Sequence, residues 1–177
     1  MNALTQKPIR QIAYLVEDLD ASVRHWAAGM GVGPWTLFRG TAMQGRYRGE
    51  DTRVVIDVGL SYRGELQIEL IQVRSRTPSP YQHANGRPRL GLHHIAWHSD
   101  DLDADLAAAR ARGLQPVFEA GNGAVRVAYL ESPAEPGLLL EYIEATPAVS
   151  DGFAAGVVAA RDWDRREPIL HAIDLGA

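Results

Sequence analysis

An internal repeat constrains this chain more than any other feature of its sequence. A segment beginning Gln11-Ile-Ala-Tyr is matched, 83 residues further along, by His94-Ile-Ala-Trp. With the same offset, both copies continue into an Asp-Leu-Asp-Ala segment, at residues 18–21 and 101–104. Chance rarely gives such agreement, so we interpret the chain as a duplicated structural module. Residues at equivalent positions of the two copies are the first candidates for a shared site.

Apolar patterning predicts the same order of elements, β-α-β-β-β, in each copy. In the first copy Asp18 or Asp20 is the predicted N-cap of the helix, and the polar stretch Gly40–Asp51 predicts a loop or an irregular hairpin. This pattern predicts an α+β fold class. The predicted organisation is a first module over 8–73, a connector over 74–90, a second module over 91–146 and a partly helical tail over 147–177.

Composition and charge exclude several classes of function. The net charge is −4, from 18 Lys and Arg against 22 Asp and Glu, with no basic block, which argues against nucleic acid or an anionic membrane as partner. Since the chain has no cysteine, it has no disulfide, thiolate nucleophile or cysteine-ligated metal. There is no apolar run of membrane-spanning length and no signal-peptide pattern at the N-terminus, so we expect a cytoplasmic protein. The connector is long enough to cover a site.

The two copies also match in their last strands. Each copy places a polar side chain on its first strand, Gln11 or His94, and a glutamate on its last, Glu69 or Glu141. A carboxylate in an apolar strand is costly to bury unless it is paired or bound to a cation. These four side chains form a nitrogen and oxygen donor set that suits a divalent metal such as Zn, Ni, Co, Mn, Fe or Mg.

Two of these residues also have a purely structural alternative, and Glu69 has rivals on its own strand. His94 fits a hydrogen-bonded core histidine and Gln11 a satisfied buried amide, while Glu69 shares its strand face with Glu65 and Gln67. Strand alternation predicts that His93 points away from His94 and is structural, and that the side chain of His98 lies on the same face as that of His94. The residues predicted to contact a substrate are His98, Gln67 and Tyr62.

Taken together, these segments resemble the vicinal oxygen chelate superfamily, the glyoxalase, bleomycin-resistance and dioxygenase group, over residues 8–146. The second half is most similar to methylmalonyl-CoA epimerase and its glyoxalase-like relatives. The resemblance implies paired modules that form curved mixed sheets around one divalent metal (Zn, Ni, Co, Mn or Fe), and it implies a homodimer. Its metal positions fall on Gln11, Glu69, His94 and Glu141. Most bacterial members have histidine where this chain has Gln11, whereas Gln-Glu-His-Glu is the ligand set of eukaryotic-type glyoxalase I.

The resemblance implies a small-molecule lyase, isomerase or epimerase that removes a proton next to a metal-chelated carbonyl. Glu141 is then the expected base, and Glu69 the ligand across the site and partner acid. One alternative is a metal-free small-molecule binding protein of the antibiotic-sequestering type. An extradiol dioxygenase is less favoured, because its iron requires two histidines and one carboxylate and only His94 is in place. These alternatives leave open whether the chain is an enzyme.

Overall fold

The computed structural model describes residues 7–176 of the chain, which form three helices and nine strands within that range. The helices are α1 (Leu19–Met30), α2 (Leu102–Ala111) and α3 (Pro147–Asp162). The strands are β1 (Gln11–Leu15), β2 (Trp35–Tyr47), β3 (Glu50–Arg63), β4 (Leu66–Val73), β5 (Gly91–Ser99), β6 (Gln115–Gly121), β7 (Arg126–Ser132), β8 (Glu135–Glu144) and β9 (Ile169–Asp174).

The repeated aspartates start the first two helices in the same way. The side chain of Asp18 accepts a hydrogen bond from the backbone N–H of Ala21, at 2.9 Å. Asp101 does the same for Ala104, at 3.0 Å. Each carboxylate satisfies a backbone donor that the first helical turn leaves without a partner. Asp20, the second candidate cap, instead pairs with Arg39.

The strands form one mixed sheet in the order β3-β4-β1-β5-β8-β7-β6-β2-β9. Strand β2 pairs with β3 as well as with β6, so the eight strands before β9 curve round and close on themselves. At this closure, a side chain on Gly45 would clash with the backbone of Glu119 on β6, and only glycine permits so close an approach. The α+β class with curved mixed sheets, expected from the sequence, is confirmed.

Of the loop or irregular hairpin predicted over Gly40–Asp51, the structure forms the hairpin, and its strands extend well beyond that stretch. Strand β2 runs to Tyr47 and β3 begins at Glu50, and the two pair along their length with one irregularity after Phe38. Arg48 and Gly49 form the two-residue turn, with φ values of 50° and 90°. Positive φ at both central residues is typical of the type I′ turn that suits a tight hairpin. The Arg-Gly pair is an uncommon sequence for this turn, so the sequence did not indicate the exact position of the turn.

The interior of the closed sheet is largely apolar, and the helices pack on its outside. Buried aliphatic and aromatic side chains from β1 to β8 fill the interior, with Tyr81 from the connector among them. Helices α1 and α2 each bury one apolar face in a separate outer cluster. In the tail, β9 adds to the edge of β2 with all of its residues exposed. Within residues 7–176, no helix has the length and apolar character needed to span a membrane.

Candidate functional site

Four adjacent strands of the sheet bring the four predicted metal ligands together. Glu69 lies on β4, Gln11 on β1, His94 on β5 and Glu141 on β8, and β4-β1-β5-β8 are consecutive in the sheet. Residues directly opposite each other on paired strands project to the same face, and the pairing register places all four on the inner face.

Two alanines of the repeat leave space for the four side chains to contact one another. Ala13 lies opposite both Glu69 and His94, and Ala96 lies opposite both Gln11 and Glu141. Both alanines are fully buried. Because a methyl group is short, the longer side chains on either side reach over it and meet one another. The repeated Ile-Ala pair in the sequence therefore has a structural role at the site.

The imidazole nitrogen Nε2 of His94 is the centre of the cluster. It lies 2.9 Å from Oε2 of Glu141, 3.2 Å from Oε1 of Gln11 and 3.3 Å from Oε2 of Glu69. The His94 ring is completely buried, and the two glutamate side chains are 13% and 5% exposed for Glu69 and Glu141. Two carboxylates and one ring nitrogen thus share a site with very little access to water.

Burial and neighbouring charge act against each other in this cluster. Burial disfavours the charged imidazolium of His94, but the adjacent carboxylates of Glu141 and Glu69 outweigh it and raise the pKa of His94 to about 9. Burial raises the pKa of the Glu69 carboxyl, and His94 partly offsets that rise. His94 and Glu69 therefore hold a proton more tightly than the same side chains do in water.

A chain of amide and hydroxyl groups orients Gln11. Its Nε2 donates to Oε1 of Gln67 at 2.8 Å, and Nε2 of Gln67 in turn donates to the hydroxyl of Tyr62 at 2.5 Å. Since the amide nitrogen of Gln11 is occupied in this way, its oxygen Oε1 faces His94. Gln67 and Tyr62, predicted from the sequence to contact a substrate, are here linked to the cluster through Gln11.

Helix α3 covers the end of the site at Tyr62 with the side chain of Phe153. The Phe153 ring meets the rings of Tyr62 and His98 edge-on, with centroids 4.9 and 5.0 Å apart, and the guanidinium of Arg10 lies 4.5 Å from its centroid. Among the residues of α3, Phe153 alone is buried. The helix is therefore held mainly through this contact. Neither Arg10 nor Phe153 was predicted from the sequence, because neither belongs to a repeated or regularly spaced pattern.

Close approach of α3 to the site depends on Gly156. A side chain at this position would clash with the ring of Tyr62, whereas the position of Gly152, one turn earlier, faces open space. We expect Gly156→Ala to lower the free energy of unfolding by about 1–3 kcal/mol through overpacking. Gly152→Ala should raise it by up to about 1 kcal/mol through helix propensity. Urea unfolding of both variants measures the difference; equal effects would show that α3 is not packed against Tyr62.

His93 does not lie where strand alternation predicted. Between the pairs Ala13–His94 and Tyr14–Leu92 the register of β5 against β1 shifts, and His93 is the extra residue. Such a bulge re-aims the side chain that it carries. The His93 ring consequently turns inward, buried beside that of His94, with 2.8 Å between their Nδ1 atoms. The prediction that it points away from His94 was wrong.

The connector and β7 supply an aromatic wall behind the cluster. The Tyr81 ring stacks on His93 at 5.1 Å, and the Tyr129 ring lies 4.9 Å from that of His94. The two tyrosine hydroxyls are hydrogen bonded to each other at 2.9 Å. Residue 81 falls within the connector that the sequence analysis suspected of covering a site. Nothing in its sequence context marked Tyr81 as the residue that reaches inward.

The donor set at the centre fits a divalent cation. Within residues 7–176 no group of three or more His, Cys, Asp or Glu side chains is already spread around a position for a metal ion, because the predicted ligands contact each other directly. Ligands of one zinc ion lie roughly 3 Å from each other, and the three oxygens are 2.9–3.3 Å from His94 Nε2. Oε2 of Glu141 is buried, and in the described part of the chain its close polar neighbour is Nε2 of His94, at 2.9 Å. A small outward movement of these side chains would give a cation four donors.

Comparison with known proteins identifies the family. Residues 10–129 match the model of the Glyoxalase/Bleomycin resistance protein/Dioxygenase superfamily. This match spans more than half of the 177 residues, so the chain belongs to that superfamily, as the repeat and strand motifs indicated. No curated protein sequence matches the chain.

Solved structures share the fold at low sequence identity. A hypothetical protein from Bacillus halodurans C-125 superposes with a TM-score of 0.56 and 18% identity, covering 80% of this chain and 96% of its own. Methylmalonyl-CoA epimerase from Mycobacterium tuberculosis gives 0.54 and 17%, covering 85% and 97%. A methylmalonyl-CoA epimerase in complex with methylmalonyl-CoA gives 0.51 and 22%, covering 80% and 96%. These likenesses establish a glyoxalase-like fold.

Proposed function

We propose that this protein is a metal-dependent isomerase, epimerase or lyase that moves a proton next to the carbonyl group of a small molecule. One observation carries the proposal: three oxygens from three other strands surround His94 Nε2 within 3.3 Å in a buried site. The proposed ligands are Gln11, Glu69, His94 and Glu141, and the proposed ion is one of Zn, Ni, Co, Mn or Fe.

A bound divalent ion would supply positive charge that stabilises negative charge on a carbonyl or enolate oxygen. The remaining work falls to the carboxylates of the chain. We assign Glu141 as the base that accepts the proton from the carbon next to the carbonyl. We assign Glu69 as the partner acid, and its raised pKa suits a carboxyl group that holds and returns a proton.

The positions of the two carboxylates suit epimerisation in particular. Glu69 and Glu141 come from β4 and β8, on opposite sides of the pair β1 and β5 that carries Gln11 and His94. Two bases that approach a carbon from opposite sides remove a proton from one face and deliver one to the other. The similarity in fold to methylmalonyl-CoA epimerases supports this branch of the proposal. Isomerisation would need only one of the two carboxylates to shuttle the proton.

Substrate contacts are proposed at the end of the site under α3. His98, Tyr62 and Gln67 remain the proposed contact residues, and we propose Arg10 as a fourth, because its guanidinium lies over the ring of Phe153 at this end of the site. Burial lowers the pKa of His98, with a further contribution from Arg10, so His98 is a neutral hydrogen-bonding group at pH 7. We also propose a homodimer, in line with the family resemblance.

The first test of this proposal is the metal content of the purified protein. Elemental analysis of protein prepared without a histidine tag should find close to one divalent ion per chain. His94→Ala should lose that ion, because the change removes the only ring nitrogen among the four proposed donors. His83→Ala is the matched control, since His83 is an exposed histidine of the connector. Absence of metal from the unaltered protein after supplementation with Zn, Ni, Co and Mn would overturn the proposal.

A metal-free binding protein is the second candidate, and one observation favours it. In the metal-free protein the raised pKa of His94, about 9, keeps its ring charged at pH 7, and that charge compensates the two carboxylates without a metal. Phe118, Tyr81 and Tyr129 pack against one another in the interior beside the cluster, and aromatic side chains are typical of sites for apolar ligands. Ligand-induced shifts in melting temperature, measured on protein stripped of metal, test this candidate.

A dioxygenase is not supported by the arrangement of histidines. The second imidazole next to the cluster, His93, uses Nδ1 towards His94, and its Nε2 lies 3.0 Å from the carbonyl oxygen of Pro80. Both nitrogens are thus occupied away from the carboxylates. The pair of histidine ligands that an extradiol iron site requires is therefore not formed by residues 7–176.

A further inference from the structure

The hydrogen bonds of His93 define where its own proton lies. Nε2 of His93 is 3.0 Å from the backbone oxygen of Pro80. A carbonyl oxygen only accepts hydrogen bonds, so this nitrogen carries a proton and donates it. The other nitrogen, Nδ1, is 2.8 Å from Nδ1 of His94. At that separation one proton must lie between the two nitrogens, since two lone pairs would repel each other.

The surroundings of His93 decide which ring owns the shared proton. If it belonged to His93, that ring would carry protons on both nitrogens and a full positive charge. The ring is buried, stacked on Tyr81 and in contact with Tyr129, an environment that disfavours charge. His93 is therefore neutral, and the shared proton belongs to His94.

We infer that His93 is a positioning residue that holds the proton of His94 on Nδ1 and thereby leaves Nε2 as the nitrogen that binds the ion. We call the hydrogen-bonded chain from the Pro80 carbonyl in the connector, through His93, to His94 the relay. This inference rests on the proposed metal site. A buried partner that fixes the tautomer of a ligating histidine typically changes metal affinity by about 10- to 100-fold.

The pair His93→Leu and His93→Asn tests the role through metal affinity. Leucine fills the space but accepts no hydrogen bond, whereas Oδ1 of asparagine lies close to the position of the histidine Nδ1 and accepts one. We expect zinc affinity, measured by competition with a chelator, to fall about 10- to 100-fold in the leucine variant and to recover largely in the asparagine variant. Thermal melts confirm that both variants fold. Equal zinc affinity in the leucine variant and the unaltered protein would overturn the inference.

A second measurement tests the relay in the unaltered protein, with or without metal. In ¹⁵N-labelled protein, the proton between the rings should be bonded to Nδ1 of His94, with coupling across the hydrogen bond to Nδ1 of His93. Nε2 of His93 should carry its own proton. A proton found on Nδ1 of His93 overturns the inference. Because this readout needs no metal, it separates failure of the relay from failure of the proposed metal site.

Discussion

Replacing Glu141 with glutamine is expected to lower proton exchange at the carbon next to the substrate carbonyl by about 10²–10⁴-fold, the usual contribution of a general base. Glutamine has almost the same shape as glutamate but takes up no proton at neutral pH. Glu141 is buried and lies opposite Ala96, so the isosteric change preserves packing. Deuterium incorporation from solvent, followed in α-hydroxy ketones, hemithioacetals and acyl-CoA thioesters, measures the rate.

The matched control lies on the same strand. Glu135 begins β8 and is exposed, so Glu135→Gln removes one carboxylate from β8 without touching the site. We expect this control to exchange protons at the rate of the unaltered protein. An exchange rate in the Glu141 variant equal to that of the control would assign the base to another residue, with Glu69 next to be replaced.

The metal-free protein is expected to lose stability as the pH rises from about 6.5 to above 9. The charge on His94 stabilises the folded state because its folded pKa, about 9, exceeds the ordinary value of about 6.5. The stabilisation is complete below pH 6.5 and disappears as the pH passes through 9. With about 1.4 kcal/mol per pKa unit, the free energy of unfolding should fall by on the order of 3 kcal/mol. Urea unfolding in a chelator at pH 6.5 and pH 10 gives the change.

His94→Gln separates this effect from all other titrations. The difference in unfolding free energy between the unaltered protein and this variant should shrink over the same pH range. A difference that stays constant from pH 6.5 to 10 would show that the buried imidazole of His94 carries no charge at neutral pH.

His93 affects stability at acid pH instead. Its folded pKa is lowered to about 3, chiefly by burial, so the stability it contributes is lost as the pH falls from 6.5 towards 3.

Strand pairing explains why the four proposed ligands are readable from the sequence. The duplication places Gln11 and His94 at equivalent positions of β1 and β5, which pair with each other directly. Glu69 and Glu141 follow on the parallel neighbours of these two strands. Once the order of elements is set, the pairing register fixes which residues lie side by side on the inner face, and these four are among them. A repeat found in the sequence therefore carries three-dimensional information about the site.

The residues that surround the cluster could not be predicted in this way. Phe153 and Gly156 belong to α3, outside the repeat, and their contacts with Tyr62 depend on how that helix docks. Tyr81 reaches the interior from a connector without regular secondary structure. The prediction put the side chain of His93 on the wrong face, because side chains alternate regularly only along a strand without a bulge. No repeating pattern in the sequence marks the residues that make these contacts.

The sequence by itself determined the order of the elements, the α+β class and the superfamily, and it indicated the residues proposed as ligands. These follow from local propensities, from the repeat and from strand pairing, all of which are written along the chain. Only the tertiary structure decided that His93 faces His94, that the Pro80 carbonyl and the Tyr81 ring contact His93, and that α3 covers the other side. The physical reason is that these contacts depend on the bulge where β5 pairs with β1 and on the packing of the connector and α3, which form only when the sheet has closed.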